Sequence, residues 1–365
     1  MIKTTYYQDL TKMNTFGMKV KARCFVEYDS VADLVDIEFE ELARPVLHIG
    51  GGSNLLFTDD FKGTVLHSKI NFIEILEDKP DLQPEELGHL ASSTSHLPST
   101  DKVLVSVGAG VVFDDFCDWA AKEGLWGVEN LSYIPGEVGA AAVQNIGAYG
   151  VEVKDVIHTV YCYDTVEEEF ISIPVEDCEY GYRDSVFKDL EIKGRYIVTH
   201  VVFALSRDAK PRLEYGHLKD AVDEIPADLT PALIRKVIIK IRKEKLPEPS
   251  VMGSAGSFFK NPVISAEHFA RIEAAAKAEY GADCNVPHYD LFDGAVKVPA
   301  AWLIEQCGWK GKRSGGAAVY DKQPLVIVNY TGEAYPEEII GLEKRIVASV
   351  KQKFDIELHP EVEHI

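Results

Sequence analysis

Short apolar runs separated by glycine turns open the chain. Residues 24–28 (CFVEY) and 45–49 (PVLHI) have the β-branched and aromatic content of strands. Between them a helix is predicted to begin after Ser30, whose hydroxyl would act as its N-cap. The second run leads directly into three consecutive glycines at residues 50–52. This pattern predicts a compact α+β unit that ends in a glycine turn.

A second strand-then-helix pattern begins at residue 102. Residues 102–110 (KVLVSVGAG) are strand-like, and the aromatic residues from Phe113 to Trp119 recur at helical spacing before Gly124 at the C′ position. The preceding stretch, residues 77–100, is polar and rich in proline and serine. We predict that this stretch is a surface excursion without catalytic residues.

Strands dominate the middle of the chain. Three β-rich runs after Gly150 (VIHTVYCYD, EFISIPV and RYIVTHVVFAL) alternate as expected for a sheet covered on one side. A helix is then predicted from Thr230 as N-cap and Pro231 at its first position, and the proline-bracketed residues 246–249 end it. The last region alternates helices and strands, which is typical of a separate α+β lobe.

These patterns predict three domains, which a chain of 365 residues is long enough to support. Residues 1–75 and 76–246 form two subdomains, and residues 247–354 form a third domain. Residues 355–365 are predicted to return to the second subdomain.

The charge balance excludes one class of partner. The chain has 38 basic and 59 acidic residues and a net charge of -21, so it would repel a nucleic-acid backbone. A phosphorylated small molecule stays possible, because a local cluster of backbone N–H groups can bind it. No apolar run approaches the roughly 18 residues of a membrane span, and no signal-peptide core is found at the N-terminus. We predict a soluble cytoplasmic protein without membrane insertion.

The six cysteines carry no recognisable chemistry. They are scattered without the close pairing typical of zinc sites or redox pairs, so we predict buried thiols and no metal site.

Three glycine-rich segments are candidates for binding a phosphate. GGGSNLLF (residues 50–57) follows a strand, Gly108 and Gly110 follow another, and IPGEVGAAAVQNIGAYG (residues 134–150) is the longest. Each alone could be an ordinary turn, but together they indicate one extended dinucleotide whose diphosphate approaches the main chain. A Rossmann site is disfavoured, because Leu55 occupies the third glycine position of that fingerprint.

The stretch GSAGSFFKNP (residues 253–262) reads as an active-site loop, since it places a serine, a lysine and an amide in a glycine-loosened turn beside aromatic residues. It lacks the G-x-S-x-G setting of a hydrolase nucleophile. Together with IPGEVGAAAVQNIGAYG and GYRDSVFK (residues 181–188), this loop resembles the UDP-N-acetylenolpyruvoylglucosamine reductase family. Similar segments run in the expected order from NTFG at residues 14–17 to PEV at residues 360–362.

The resemblance implies a fold and a cofactor. The fold would be an α+β, three-domain one: a two-domain FAD-binding module of the vanillyl-alcohol-oxidase type, plus a C-terminal α+β domain that binds the substrate. FAD would be bound noncovalently, since no histidine or cysteine sits in a segment resembling a flavin-attachment site. By resemblance the FAD-lining residues are Gly51, Gly52, Ser53, Asn54, Leu55, Gly108, Gly110, Ser132, Ile134, Gly139, Gln144, Asn145 and Gly147.

The implied reaction is NADPH-dependent reduction of UDP-N-acetylglucosamine enolpyruvate to UDP-N-acetylmuramate, a step of peptidoglycan precursor synthesis. The vinyl carbon of such an ether resists hydride unless the conjugated carboxylate is stabilised. Arg183, a fixed and permanently charged fork, is suited to that task. By resemblance Ser257 donates the proton, and Glu361 positions or polarises the carboxylate.

Tyr215, in LEYGHL, resembles the tyrosine of the closing loop in the longer class of these reductases. By the same comparison Lys245, Asn261, Tyr289, Lys297, Lys310 and Gln323 would contact the diphosphate, uridine or sugar. We expect a monomer. Two alternatives stay open: another FAD-dependent oxidase or dehydrogenase on the same scaffold, and a flavin-binding regulator without catalysis.

Overall fold

The computed structural model describes residues 1–76, 102–291 and 293–365. The predicted surface excursion at residues 77–100 lies outside the described residues. The strands are β1 (Lys3–Asp9), β2 (Lys21–Tyr28), β3 (Val46–Ile49), β4 (Leu55–Leu56), β5 (Phe61–Ser68), β6 (Ile73–Leu76), β7 (Lys102–Gly108), β8 (Gly147–Ala148), β9 (Val151–Glu152), β10 (Ile157–Asp164), β11 (Glu169–Pro174), β12 (Tyr196–Ser206), β13 (Gly253–Ser257), β14 (Val263–Ser265), β15 (Tyr289–Asp290), β16 (Ala295–Lys297), β17 (Arg313–Ser314), β18 (Ala317–Val319), β19 (Val326–Asn329) and β20 (Glu363–His364).

The α-helices are α1 (Val31–Val35), α2 (Phe113–Lys122), α3 (Val138–Gln144), α4 (Leu218–Asp223), α5 (Pro231–Lys245), α6 (Ala266–Tyr280), α7 (Ala300–Gln306) and α8 (Pro336–Phe354). Short 3-10 turns cover Thr11–Met13, Glu129–Leu131, Val153–Asp155, Val175–Cys178 and Val186–Lys188. Two helix starts confirm the predicted caps. The Ser30 hydroxyl accepts from the Asp33 amide in a capping box, and the Thr230 hydroxyl accepts from the Leu233 amide at 3.1 Å.

The described chain divides into two compact units. The first contains Met1–Asp9, Lys21–Gly52 and Phe61–Glu244, and the second contains Leu10–Val20, Ser53–Asp60 and Lys245–Ile365. This division differs from the three predicted domains. The chain crosses between units at residues 9–21 and 52–61, and residues 355–365 belong with the C-terminal region rather than with residues 76–246. Backbone pairs distant in sequence set these memberships, so no local pattern reveals them.

Two sheets build the first unit. One has the order β1-β2-β5-β3, with β2, β5 and β3 parallel and β1 added antiparallel at the edge. The other is antiparallel with the order β11-β10-β12-β7-β6. The predicted strands and the α2 helix are all present, and Gly124 follows α2 with a positive φ of 70°.

The antiparallel sheet is covered on both faces, which corrects the predicted one-sided sheet. Val198, on β12, belongs to the large core that α2 and α3 close. Its neighbour Ile197 instead joins the core that contains Leu34 of α1. Successive residues of a strand point to opposite faces, so each face has its own core. Half-buried residues recur within these strands, among them Tyr161 on β10 and His200 on β12, and in the sequence they resemble the exposed positions of a one-sided sheet.

The second unit is built on the antiparallel sheet β13-β19-β18-β17, with a small sheet β14-β16-β15 beside it. Helix α8 buries Ile339, Leu342, Ile346 and Val350. The segment Leu10–Val20 packs into this unit: the Ser254 amide donates to the Thr15 carbonyl at 2.9 Å, and the Asn329 amide group donates to the Phe16 carbonyl at 3.0 Å. A predicted α+β lobe is therefore present, but it includes two early segments of the chain.

Candidate functional site

The three glycine-rich segments meet in the first unit. A Cβ placed at Gly51 would lie 3.3 Å from the Gly136 Cα, and one at Gly139 would lie 2.9 Å from the Ala109 Cβ. The Gly139 amide donates to the Ala109 carbonyl at 3.0 Å. Side chains at these points would fill the space between the segments. The structure thus brings together the backbone segments that the sequence assigned to a dinucleotide.

Gly108 and Gly110 are also required by their own packing. A Cβ at Gly108 would lie 2.4 Å from the Ile70 carbonyl oxygen, and one at Gly110 would lie 2.6 Å from that of Ser68. The Gly110 amide donates to the Ile70 carbonyl at 3.0 Å. These two glycines therefore let the end of β7 lie directly against the segment that follows β5.

Two predicted cofactor residues use their side chains inside the protein. The fully buried Ser132 donates its hydroxyl to the Glu129 carbonyl at 2.7 Å. Asn145, also fully buried, has a φ of 44° and donates to the Gly181 carbonyl at 2.8 Å. Its side-chain oxygen accepts from the Lys154 amide at 3.3 Å. Both side chains thus make hydrogen bonds to the main chain of the protein itself.

Arg183 lies in the first unit against the same segment. Its guanidinium donates to the Asn145 carbonyl at 3.3 Å and to the Gly147 carbonyl at 2.8 Å. The residue has a positive φ of 56° in the turn where Gly181 and Asp184 pair. Two backbone carbonyls thus orient the fork, which is the rigid presentation that carboxylate recognition needs.

Lys188 is a positioning residue that sequence reasoning missed. Its ammonium donates to the Gln144 side-chain oxygen at 3.1 Å and to the Arg183 carbonyl at 3.0 Å. It therefore joins a predicted cofactor residue to the predicted catalytic arginine. The signal was available, because Lys188 ends the GYRDSVFK segment.

Ser257 and Glu361 are brought together in the second unit. Ser257 is exposed at the end of β13, directly after Gly256, whose φ is 70°. The next residue, Phe258, is fully buried, and its carbonyl accepts from the Glu361 amide at 2.8 Å. A bridge between Phe259 and Pro360 extends this pairing. Buried aromatic rings thus anchor the loop while its serine faces solvent.

Asn54 holds the same C-terminal segment from its other side. Its side chain donates to the Glu361 carbonyl at 3.2 Å, and its own carbonyl accepts from the Glu363 amide at 2.9 Å. Parallel pairing of β4 with β20 continues this contact. Ser53, Asn54 and Leu55, predicted to line FAD, therefore also belong to the unit that carries Glu361.

The predicted substrate residues divide between the units. Tyr215 is in the first unit, where its exposed ring meets Tyr149 edge-on with centroids 6.0 Å apart. In the second unit Lys297 lies opposite Tyr289 in register, with its ammonium 5.5 Å from the ring centroid. The other four predicted substrate residues are also in the second unit. Lys245 is the last residue of α5, and Lys310 forms an ion pair with Glu305 at 2.8 Å. The Asn261 side chain accepts a hydrogen bond from the Ala300 amide at 2.9 Å, and the Gln323 carbonyl accepts one from the Val326 amide at 3.0 Å.

A half-buried arginine contacts the residue that precedes the long glycine segment, and this contact was not predicted either. Arg242, on α5, donates to the Tyr133 carbonyl at 3.1 Å, and burial lowers the pKa of its guanidinium. Tyr133 itself has a φ of 62° and donates its amide to Asp114. Nothing in the sequence of α5 distinguishes this arginine from the other basic residues of the helix, so its contact with Tyr133 could not be predicted.

The cysteines are free thiols. Four are buried, while Cys284 and Cys307 are half-buried, so the predicted burial holds for four of the six. Burial raises the pKa of Cys117 and Cys162 well above the usual range of a thiol.

Among residues 1–76, 102–291 and 293–365, no cluster of acidic, histidine and cysteine side chains could hold a metal ion. Within the same ranges, no helix combines the length and apolar character needed to cross a bilayer.

Comparison with known families first defines the class. Residues 22–168 match the family described as "FAD binding domain", the range that contains all three glycine-rich segments. Residues 248–365 match "UDP-N-acetylenolpyruvoylglucosamine reductase, C-terminal domain". The chain is thus a flavoprotein oxidoreductase with an FAD-binding module and a separate C-terminal domain, which confirms the predicted fold class and cofactor.

Full-length relatives define the particular family. The UDP-N-acetylenolpyruvoylglucosamine reductase of Bacteroides fragilis strain YCH46 is 47% identical over 357 residues, which is 98% of each chain. That of Neisseria meningitidis strain Z2491 is 42% identical over 360 residues, 98% of this chain and 96% of the relative. The chain belongs to the UDP-N-acetylenolpyruvoylglucosamine reductase family.

One solved structure shares the fold. The UDP-N-acetylenolpyruvylglucosamine reductase of Thermus caldophilus superimposes with a TM-score of 0.62 at 22% identity, covering 100% of this chain and 98% of that one.

Proposed function

We propose that this chain reduces UDP-N-acetylglucosamine enolpyruvate to UDP-N-acetylmuramate, with NADPH as the electron donor, in peptidoglycan precursor synthesis. The relatives at 42–47% identity over nearly the whole chain support the reaction. The observation that carries the assignment of residues is the hydrogen bond from the Glu361 amide to the Phe258 carbonyl, which joins the serine loop to the C-terminal glutamate.

Bound FAD supplies hydride transfer from NADPH to the vinyl carbon of the substrate. By the family resemblance, the glycine-rich segments would hold its diphosphate, and Ser53, Asn54 and Leu55 would also line the cofactor. The cofactor would be bound noncovalently, because no histidine or cysteine lies in a segment that resembles a flavin-attachment site.

The chain's own residues would handle the substrate carboxylate and the proton. Arg183, oriented by two backbone carbonyls, stabilises the charge that spreads into the carboxylate as hydride arrives. The Ser257 hydroxyl donates a proton to the carbon that becomes a carbanion. Glu361 would help to position or polarise the substrate carboxylate. Each role follows from the family resemblance and agrees with the local geometry of that residue.

Recognition of the sugar nucleotide would use the residues that the family resemblance implies. Tyr215 would belong to the loop that closes over the sugar nucleotide, and cationic and polar residues including Lys297, Lys310 and Gln323 would contact phosphates, uridine or sugar. We also propose a monomer located in the cytoplasm, where NADPH and nucleotide sugars are available. Size-exclusion chromatography with light scattering tests the oligomeric state.

The function is tested by the flavin absorption band under anaerobic conditions. NADPH should bleach the band, and subsequent UDP-N-acetylglucosamine enolpyruvate should restore it, whereas UDP-N-acetylglucosamine, which lacks the enolpyruvyl group, should not. A colourless protein that stays colourless with added FAD would refute the cofactor site. Recovery with oxygen alone would favour an oxidase.

A further inference from the structure

A buried asparagine joins two stretches of the first unit that are distant in the sequence. Asn130 lies in the 3-10 turn Glu129–Leu131 and is 1% exposed. Its side-chain nitrogen donates to the Tyr149 carbonyl at 2.9 Å and to the Arg212 carbonyl at 2.8 Å. Tyr149 is near the end of the long glycine-rich segment, and Arg212 lies shortly before Tyr215. A single side chain therefore ties the glycine-rich segment to the stretch that carries Tyr215.

The geometry uses Asn130 as a double donor. A primary amide has two N–H groups, so the two carbonyls together take both of them. Among the described residues, the buried Oδ1 of Asn130 has no hydrogen-bonding partner. A buried acceptor without a partner is unfavourable, so the choice of an asparagine here is explained by its donors rather than by its oxygen. An aspartate, which offers one donor at most, could not satisfy both carbonyls.

The stretch that receives one of these bonds has no regular structure of its own. Residues 209–217, which we call the Tyr215 loop, belong to neither a helix nor a strand, so no ladder or helical turn fixes their carbonyls. The Arg212 guanidinium adds a bond to Asp155 at 2.6 Å, but the arginine side chain is 53% exposed. Exposed ion pairs contribute little to stability. The bond from Asn130 is thus the anchor of this loop that is shielded from water.

The anchored loop lies against the end of the glycine-rich segment. The rings of Tyr215 and Tyr149 meet edge-on at 6.0 Å, and a Cβ placed at Gly150 would lie 3.5 Å from the Tyr215 Cβ. Leu213 of the loop packs, together with Tyr149, against the small core that contains Trp126. Tyr215 itself is 45% exposed. The backbone of the loop is therefore held in place while the tyrosine ring stays accessible to a ligand.

We propose that Asn130 is a positioning residue for the sugar nucleotide: by holding the Tyr149 and Arg212 carbonyls, it fixes the place from which Tyr215 meets the substrate. This rests on the proposed role of Tyr215 in binding the nucleotide. Asn130 is buried and acts through Tyr215. Without its two bonds the Tyr215 loop is less ordered before binding, and part of the binding free energy then goes into ordering it. The affinity for the nucleotide therefore falls.

The first test is the steady-state kinetics of the holoenzyme with UDP-N-acetylglucosamine enolpyruvate. Asn130→Ala should raise KM for this nucleotide about tenfold and change kcat less than about twofold, as expected when binding is weakened but the chemical step is not. Asn130→Ser, which keeps one donor, should lie between the wild type and Asn130→Ala. Thr165→Val is the control, because it removes a side-chain bond to the Arg195 carbonyl at 3.0 Å in the same unit, and it should keep both constants.

A double-mutant cycle separates positioning from a general loss of structure. Tyr215→Ala should raise KM by itself. In that background Asn130→Ala should have little further effect, because the contact that Asn130 positions is already gone. Additive effects of the two substitutions would instead make Asn130 a structural residue that acts independently of Tyr215, and would overturn the inference.

Limited digestion with trypsin reports the anchor without any substrate. The peptide bond after Arg212 should be cut about tenfold faster in Asn130→Ala than in the wild type, because the bonds that keep the Tyr215 loop closed are lost. The thermal midpoint of each variant is recorded beside the cleavage rate, so that global unfolding is seen separately.

Two further outcomes would also overturn the inference. An unchanged cleavage rate after Arg212 would show that Asn130 does not anchor the loop, and an unchanged KM in both Asn130 variants would show that the anchor does not serve binding. Should Tyr215→Ala leave KM unchanged, the proposed role of Tyr215 would fail too. A wild-type holoenzyme without turnover would refute the proposed function itself, and the cleavage rate, which needs no substrate, distinguishes these failures from a missing anchor.

Discussion

The Glu361 amide donates a 2.8 Å hydrogen bond to the Phe258 carbonyl, so the peptide bonds next to Ser257 and Glu361 are fixed relative to each other by the main chain. Neither side chain takes part in this bond. A substitution at Ser257 or Glu361 can therefore remove a functional group without removing the contact that joins the two segments, which makes this pair suitable for kinetic tests.

Ser257→Ala should spare flavin reduction by NADPH and slow reoxidation by the enolpyruvyl nucleotide by roughly 10²–10⁴-fold, the usual effect of removing a proton donor. Because Ser257 is exposed and Phe258 keeps its backbone bond, the fold should be unchanged. Stopped-flow absorbance separates the two half-reactions. Ser349→Ala, an exposed helical serine of the same unit, is the control. Unchanged reoxidation would remove Ser257 from the mechanism.

Asn54→Ala should affect the reaction through Glu361. The substitution removes the side-chain donor to the Glu361 carbonyl but leaves the backbone bond from Glu363 to Asn54 in place. We expect nucleotide-driven reoxidation to fall about tenfold, as for the loss of one hydrogen bond that orients a catalytic group. Thr58→Val removes a comparable bond to the Ile365 carbonyl and serves as the control. Equal effects of the two substitutions would contradict a specific role of Asn54.

The candidate site was predictable where its signals are local. The structure confirms the helix caps at Ser30 and Thr230, the glycine runs and the long amphipathic helices. The contacts that stabilise these elements lie within a few residues of one another in the sequence. The contact of Lys188 with Gln144 and that of Arg242 with Tyr133 escaped prediction because the partners lie 44 and 109 residues apart in the sequence. Their contact distances depend on how strands and helices pack. Sequence-distant pairs of the same kind, such as Asn54 with Glu361, determine the two compact units, whose bounds therefore differ from the predicted domain bounds.

Two glycine substitutions should have opposite effects on stability. Gly110→Ala places a Cβ 2.6 Å from the Ser68 carbonyl oxygen and should lower the free energy of unfolding by about 1–3 kcal/mol through overpacking. Gly341→Ala, inside α8, meets no atom within 4 Å and should raise it by up to about 1 kcal/mol. Urea denaturation of the two variants measures both values. A stable Gly110→Ala protein would show that the 68–70 segment can move aside.

His200 should contribute to acid sensitivity. It stacks on Tyr161 with ring centroids 4.3 Å apart, and burial lowers its pKa from 6.5 to about 4. Between these two pH values the unfolded chain binds a proton at His200 that the folded protein does not bind. The contribution of neutral His200 to the free energy of unfolding is therefore fully present above about pH 6.5 and is lost as the pH falls towards about 4. His200→Gln should reduce this loss by about 2 kcal/mol.

Unfolding free energies measured at several pH values between these limits test the role of His200. His217→Gln is the control, because His217 is exposed on the surface and its substitution should leave the acid branch unchanged. A variant at His200 with the wild-type pH dependence would assign the acid sensitivity to other groups.

The second compact unit contains segments that are synthesised long before the residues that they contact. Phe16 and Asn54 are made early, yet their partners Asn329 and Glu361 are synthesised 313 and 307 residues later. The first unit can complete its contacts once residue 244 has emerged, whereas Phe16 and Asn54 of the second must wait for Asn329 and Glu361 to be synthesised. Nascent chains arrested before residue 329 should therefore show the first unit resistant to protease, with residues 10–20 and 53–60 open to cleavage.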